Sequence, residues 1–343
     1  MSPISGSVTI LVPTRDRPRE LARLLNFLAF TGNTFPVRVL DGSTREVRAL
    51  NAATVGRFDF AVHDSHDPEL HLGLRCADGL RKISTPYVVF CADDDFVFPQ
   101  ALTQCAAFLN AHADHSVASG NFLSLNYLPD QPVLKNGVLL ADPFRFIGYT
   151  AHAHFLQRAL YFFAYSYLGT PPLYYGLRRT DSAREAFYHL NAGLKYSGVE
   201  LLSNSIALIR GKVAVLELPF GLRDYSCPTT MEPLRHDPET YLATADVAYI
   251  RPILVAALAD AENLPVDLAE KYIDLHLTQW QPPDWVAPHL ATLKVDLWAK
   301  VKMALALLRS MLSADTMARR HGLPVSTVRA LLCAQRQFIR DRR

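Results

Sequence analysis

Short apolar runs alternate with amphipathic segments over the first hundred residues. Four apolar runs have the length of buried strands, at residues 8–12, 37–40, 58–62 and 86–91. Apolar residues at helical spacing fill residues 18–28, where Pro18 suits a first helical turn, and residues 74–82 form a second amphipathic segment. This order predicts βαβ units and therefore an α/β fold with a mostly parallel sheet.

Polar clusters follow three of the predicted strands. They occupy residues 14–16 after the first strand, residues 41–43 after the second, and residues 93–95 after the last. Ligands of parallel sheets bind at the carboxyl ends of the strands. We therefore expect these three loops to meet at one edge of the sheet and to form the functional site.

The second half of the chain has a different pattern. Aromatic residues are dense between positions 142 and 175, where His152 and His154 also lie, and beyond residue 238 the pattern is helical. We interpret the aromatic segment as a core helix, with a sugar-stacking acceptor groove as the alternative. The predicted division is an α/β domain at residues 1–235, with a donor half to about 125 and an acceptor half from about 126, and an all-α C-terminal domain at residues 236–343.

Composition narrows the class of protein. The 343 residues allow two domains, and the five cysteines are scattered with no CxxC pair. That usage argues against a disulfide scaffold or a structural zinc site and favours a reducing cytoplasm. The apolar runs fall short of the ~20 residues that span a bilayer. We expect a cytoplasmic protein, with peripheral contact at the inner face of the membrane as an option.

The three consecutive aspartates predict a metal site. Like charges this close are unfavourable unless a cation neutralises them. Alternate residues at a strand end face the same way, so Asp93 and Asp95 can act together while Asp94 points elsewhere. Oxygen ligands suit Mn²⁺ or Mg²⁺, with substrate phosphates completing the shell. The alternative is a solvated acidic loop.

Three motifs together carry a family resemblance. They are residues 10–18 (ILVPTRDRP), 39–44 (VLDGST) and 87–96 (YVVFCADDDF). In this order and spacing they resemble the nucleotide-sugar-binding half of family 2 inverting glycosyltransferases, which have a GT-A fold and a DXD-type metal motif. The resemblance covers about residues 8–110 and, more faintly, residues 170–225.

The resemblance implies a fold and an activity. The fold would be a Rossmann-like nucleotide-sugar-binding domain, and the activity a metal-dependent transfer of sugar from a nucleotide-diphosphate sugar to a hydroxyl acceptor, with inversion. The acceptor would be a glycan, a lipid-linked molecule or a protein, in bacterial-type surface glycan or glycoconjugate synthesis. One position departs from the family, because Leu40 stands where such enzymes often carry a first acidic residue.

The resemblance also implies roles for particular residues. Asp41 would lie near the base, Asp93 beside the ribose and the metal, and Asp95 on the metal that bridges the phosphates. Arg75 and Arg81 precede the metal strand and are candidates for phosphate contacts, with a solvated helix face as the alternative. The nucleotide-sugar-binding candidates are Pro13, Thr14, Arg15, Asp41, Arg81, Asp93, Asp94 and Arg223.

An inverting transfer needs a carboxylate that takes the proton from the acceptor hydroxyl. In the similar family this base lies at the start of a helix, and residues 196–208 match that context. Glu200 is therefore the predicted base and Asp181 the runner-up; the alternative for Glu200 is a carboxylate that only complements the helix dipole. Arg223 could hold the diphosphate. His236 could complete the metal shell, although a lone histidine is more often structural.

The sequence lacks the motifs of two other classes of nucleotide-binding enzyme. A nucleotidyltransferase would carry a glycine-rich N-terminal loop, and residues 12–18 contain no glycine. A dinucleotide oxidoreductase would carry a GxGxxG turn, which is also missing.

The C-terminus has the pattern of a binding module. Residues 315–332 have the apolar spacing and central glycine of a helix-turn-helix, and residues 301–343 carry nine Lys or Arg against two Asp, a net charge of +7. Such charge suits nucleic acid, an anionic membrane or an acidic partner. Helix pairs of this kind often only pack, so nucleic acid is disfavoured. Membrane-surface contact fits the apolar stripe of residues 293–312 better, although ordinary helix packing is the preferred interpretation of that stripe.

Overall fold

The computed structural model describes residues 6–127, 138–141, 148–150, 154–155, 158–159, 173–191, 193–224, 244–278 and 325–326. The strands in these ranges are β1 (Val8–Thr14), β2 (Val37–Asp41), β3 (Ala61–Ser65), β4 (Tyr87–Phe90), β5 (Phe96–Val97), β6 (His115–Tyr127), β7 (Val138–Ala141), β8 (Gly148–Thr150), β9 (Leu177–Arg179) and β10 (Lys212–Asp224). The helices described over their full length are α1 (Pro18–Phe30), α2 (Arg45–Val55), α3 (Leu72–Arg81), α4 (Pro99–Ala111), α5 (Thr180–Tyr188), α6 (Tyr196–Arg210), α7 (Thr244–Glu262) and α8 (Val266–Thr278).

The strands form one sheet in the order β3-β2-β1-β4-β9-β6-β10-β5, with β7 beside β6 and β8 beside β10. The first four strands in this order, from β3 to β4, are parallel to one another, as predicted. Beyond them β9 runs antiparallel to both β4 and β6, and β5 runs antiparallel to β10. The predicted α/β class is confirmed, and the sheet is mixed in its second half.

The parallel half has the core that its sequence pattern predicts. β4 is buried along its whole length and β1 along nearly all of it, because helices cover both faces of a parallel sheet. Helix α1 begins at Pro18 and buries Leu21, Leu24, Leu25 and Leu28, the positions at helical spacing. The third strand begins later than predicted, at Ala61, because a turn bonds its N–H to the carbonyl of Phe58.

Helices α7 and α8 pack against α6. His276 Nε2 lies 2.8 Å from the Ser205 hydroxyl, and Asp246 accepts a hydrogen bond of 3.2 Å from the N–H of Lys195. The predicted domain boundary after residue 235 lies outside the described residues, so that division stays a prediction.

Several other predictions concern residues outside the described ranges. Most of the aromatic segment is among them, as is the helix-turn-helix pattern apart from Val325 and Ser326. None of the described helices combines the length and the apolar character needed to cross a membrane.

Candidate active site

The three predicted loops meet at the carboxyl ends of β1, β2 and β4. The N–H of Asp16 donates to Ser43 Oγ at 2.8 Å, and Asp16 Oδ1 accepts the N–H of Thr44 at 2.9 Å. These bonds hold Asp16 at a φ of 54°, a left-handed conformation that is uncommon outside glycine. Thr14 Oγ1 donates to Asp93 Oδ2 at 2.7 Å and joins the third loop to the first.

The aspartates after β4 are buried and face two arginines. Asp93, Asp94 and Asp95 are each less than 10% exposed. Arg17 Nη1 lies 2.8 Å from both Asp93 Oδ1 and Asp94 Oδ2, so one guanidinium bridges two carboxylates. Arg223 Nε lies 2.9 Å from Asp95 Oδ2, and this ion pair joins the end of β10 to the aspartates.

The positive charge of the two arginines does not fully offset the effect of burial on the pKa values of Asp93 and Asp95. Burial raises the pKa of Asp93 to about 7 although Arg17 opposes it. Burial likewise raises the pKa of Asp95 to about 6, against the charge of Arg223. Further positive charge would therefore stabilise the ionised forms.

The oxygen atoms at this site fit a hard divalent cation. Asp95 Oδ2 is buried and accepts no hydrogen bond within the described part of the chain, because its contact with Arg223 lacks hydrogen-bond alignment. Both oxygens of Asp93 accept hydrogen bonds, from Thr14 and Arg17. A buried carboxylate oxygen that accepts no hydrogen bond suits Mg²⁺ or Mn²⁺ when donor phosphates and water supply the other ligands. His236 lies outside the described residues.

A buried ion pair between α1 and the end of β10 contacts the aspartates. Arg23 of α1 donates to Asp224 Oδ2 at 2.6 Å and to the carbonyl of Asp94 at 2.7 Å. The N–H of Asp224 donates to Asp95 Oδ1 at 2.9 Å. This ion pair was not predicted from the sequence. The sequence feature that indicates a buried arginine is the position of Arg23 between Leu21 and Leu24, on the apolar face of α1.

Asp41 is held within its own loop. Its carboxylate accepts the N–H of Ser43 at 2.8 Å and contacts Asn51 Nδ2 at 3.0 Å and His63 Nε2 at 2.9 Å. Burial would raise the pKa of Asp41, but the hydrogen bonds from His63, Ser43 and Asn51 lower it to about 2. Asp41 is fully buried, whereas the side chain of His63 is 16% exposed. Asp41 therefore exposes no carboxylate oxygen for the contact with the nucleotide base that the family resemblance implies. The contact with His63 was not predicted from the sequence.

Of the two arginines proposed for phosphate, only Arg75 is at this site. Arg75 Nη1 donates to the carbonyl of Thr14 at 2.9 Å, and a Cβ at position 42 would lie 2.0 Å from that nitrogen, so the guanidinium requires Gly42. The structure does not bring Arg81 to this site, and its phosphate contact stays a prediction. Arg81 ends α3 at the amino edge of the sheet, where it is exposed and pairs with Asp78 at 2.9 Å, because α3 runs back from the carboxyl edge.

Arg15 lies on the same loop as Thr14 but faces outward. Its side chain is 52% exposed and lies 3.6 Å from Glu69. Pro13 is within β1, in register with Leu40 of β2.

Glu200 shares a neighbour with the aspartates. Tyr175 has its pKa raised to about 12, mainly by burial, and Glu200 and Asp95 both add to this effect while Arg223 opposes it. The guanidinium of Arg223 lies over the ring of Tyr175 at 4.2 Å. Glu200 and Asp95 are thus both near enough to Tyr175 to raise its pKa.

The structure does not bring Asp181 to this site. Asp181 is at the start of α5, beside Thr180, whose N–H donates to the carbonyl of Pro86 at 2.9 Å at the amino end of β4. Its side chain is 93% exposed and pairs with Arg184. Because β9 is antiparallel to β4, the residue that follows it lies at the edge opposite Asp93. Asp181 therefore lies away from the aspartates, and its role as runner-up base stays a prediction.

No family model matches the chain, and no curated protein matches it in sequence. Among solved structures, the chain resembles S. aureus TarS 1–349, with 13% identity, a TM-score of 0.55, and coverage of 98% of this chain and 92% of that one. The same TarS fragment in complex with UDP-GlcNAc gives 16% identity, a TM-score of 0.55, and coverages of 91% and 83%. A longer TarS chain gives 14% identity and a TM-score of 0.52; the match covers 90% of this chain but only 49% of that one, about half its length. At these identities the similarity shows a shared fold, in agreement with the predicted GT-A class.

Proposed function

We propose that this chain is a glycosyltransferase that moves a sugar from a nucleotide-diphosphate sugar to a hydroxyl acceptor. The observation that carries the proposal is the meeting of Thr14, Arg17, Arg223 and the three aspartates at the carboxyl ends of the strands. This edge of an α/β sheet is where ligands bind. The fold is shared with TarS, which has been solved with UDP-GlcNAc, a molecule of the proposed donor class.

The donor would bind across the three loops. Pro13, Thr14 and Arg15 would border the nucleoside, with Asp41 keeping their loop in place through Ser43. Arg75 and Arg223 would offer positive charge to the diphosphate, and Asp93 and Asp94 would also contact the donor.

Asp93 and Asp95 would hold Mn²⁺ or Mg²⁺, and His236 stays a candidate for a further ligand. When bound, the cation would neutralise charge on the diphosphate. The Oδ2 atom of Asp95 supports this assignment, since it is buried, accepts no hydrogen bond in the described part of the chain and has its charge offset by the ion pair with Arg223.

Glu200 would act as the general base. It would take the proton from the acceptor hydroxyl while that oxygen attacks the anomeric carbon and the bond to the diphosphate breaks, which inverts the configuration. Arg223 would stabilise the negative charge of the leaving group, because it already faces the buried Asp95 and lies over Tyr175.

The acceptor would be a glycan, a lipid-linked molecule or a protein, in surface glycan or glycoconjugate synthesis. The basic C-terminal segment would then contact the inner face of a membrane. Salt-dependent binding of anionic vesicles by the full chain would test that part of the proposal separately.

Donor binding can be tested by thermal unfolding with a panel of nucleotide sugars, with and without Mn²⁺. A donor at a hundredfold excess over its Kd should stabilise the folded state by about 2.7 kcal/mol. Asp181→Asn is a matched control, because Asp181 is exposed at the opposite edge, and it should respond like the parent. If no nucleotide sugar raised the unfolding temperature of the parent, or if Asp95→Ala responded like the parent, the proposed donor site would be wrong.

A further inference from the structure

Two histidines and an aspartate lie together in the turn between α4 and β6. The N–H of His115 donates to the carbonyl of His112 at 3.1 Å and closes the turn. One donor atom each from His112, Asp114 and His115 lies within 4.8 Å of the others. The turn is at the amino edge of the sheet, opposite the aspartates that follow β4.

The backbone of this turn is fixed by side chains and strands around it. Arg179 donates from Nε to the carbonyl of His115 at 2.8 Å and from Nη2 to that of His112 at 3.1 Å. The carbonyl of Asp114 accepts the N–H of Lys212 at 2.9 Å. All three cluster residues thus have anchored backbones, so a ligand that they bind would have to order only their side chains.

The side chains are also oriented. The ring of His112 stacks on that of Phe108, with centroids 4.2 Å apart. Asp114 Oδ1 lies 2.8 Å from His115 Nδ1, and Asp114 Oδ2 lies 2.7 Å from Lys212 Nζ.

We propose that His112, Asp114 and His115 form a binding site for a divalent transition metal, with Zn²⁺ as the preferred ion. Two imidazoles and one carboxylate are a typical ligand set for zinc, whereas the oxygen atoms of the aspartates after β4 suit Mn²⁺ or Mg²⁺. Ligand atoms around a tetrahedral Zn²⁺ lie roughly 3.3 Å apart, given bonds of about 2.0–2.1 Å. His112 and Asp114 are exposed and can close the remaining gap, and water can fill the fourth position.

Zinc at this site would stabilise the junction of α4 and β6. Metal bonds would add to the hydrogen bonds from Arg179 and Lys212 that already join this turn to β9 and β10. The site is at the other edge of the sheet from the donor loops, so the proposal is independent of the proposed function.

The test is a zinc titration of the full chain by calorimetry, with any histidine tag removed. The parent should bind Zn²⁺ at this site and unfold at a higher temperature with it. His112→Ala and Asp114→Asn should each weaken binding by at least about tenfold, while the unfolding temperature without metal stays near that of the parent. His154→Ala removes another exposed histidine and is the matched control, which should bind like the parent.

Co²⁺ provides a spectroscopic check, because its visible absorption reports nitrogen ligands in a low-coordinate site. The parent should give this absorption, and His112→Ala should lose it. The proposal is overturned if the parent binds no zinc, or if His112→Ala and Asp114→Asn bind it with the affinity of the parent.

Discussion

The buried ion pair between Arg23 and Asp224 offers a quantitative test of how the aspartate site is supported. The two side chains are 3% and 0% exposed, and their shortest contact is 2.6 Å. Arg23→Met keeps much of the volume but leaves Asp224 buried without this partner, and it removes the hydrogen bond to the carbonyl of Asp94. Breaking a buried pair in this way costs about 3–5 kcal/mol. We expect Arg23→Met to lower the free energy of unfolding by that amount.

Urea unfolding followed by circular dichroism measures the effect. The double variant Arg23→Met/Asp224→Leu removes both charges and should be more stable than Arg23→Met alone by about 2 kcal/mol or more, because an apolar pair avoids the uncompensated charge. Arg251→Met is the control, since Arg251 forms an exposed pair with Asp274, and exposed pairs contribute little to the free energy of unfolding. A loss in Arg23→Met no larger than in this control, or a double variant less stable than the single one, would refute the reasoning.

Three further predictions follow from the site and the core. Asp95→Ala should abolish Mn²⁺-dependent donor binding in thermal unfolding without changing the circular dichroism spectrum, and Asp94→Ala should be milder; full parental turnover in EDTA would contradict the metal assignment. Glu200→Gln should bind donor normally but lose transfer by about 10²–10⁴-fold in a product assay, and near-parental transfer would exclude Glu200 as the base. Burial lowers the pKa of His276 from 6.5 to about 3, so below pH 6.5 the unfolded chain binds a proton that the folded chain does not. Stability should therefore fall from pH 6.5 towards pH 3, by up to about 1.4 kcal/mol per pH unit; urea unfolding at pH 7 and pH 5 should show a smaller decrease in His276→Gln, and an equal decrease would exclude this histidine as the cause.

The parallel half of the fold could be predicted because its signals are local. An apolar run followed by a polar turn marks each of β1, β2 and β4, and parallel strands bring their carboxyl ends to one edge. The contact between Thr14 and Asp93 follows from that rule alone. Pro18 and the leucine spacing likewise fixed the start and the buried face of α1.

The second half of the sheet depends on pairings between distant residues. A three-residue strand such as β9 carries no signal for its direction, and its antiparallel insertion between β4 and β6 moves Asp181 away from the site. The arginine network was hidden for a related reason. A surface arginine and a buried one look alike in sequence, and only the fold shows that Arg17 reaches two aspartates 76 and 77 residues away.

The most direct test of the central claim is the product released from a nucleotide-diphosphate sugar. The parent with Mn²⁺ should release the nucleoside diphosphate from a donor that raises its unfolding temperature, and Asp95→Ala should not. Chromatography of the reaction mixture separates the nucleoside diphosphate from the unreacted donor and from any sugar 1-phosphate. Release of the nucleoside diphosphate by the parent alone is the result that we predict, whereas release of the sugar 1-phosphate would indicate nucleotidyl transfer and contradict the account.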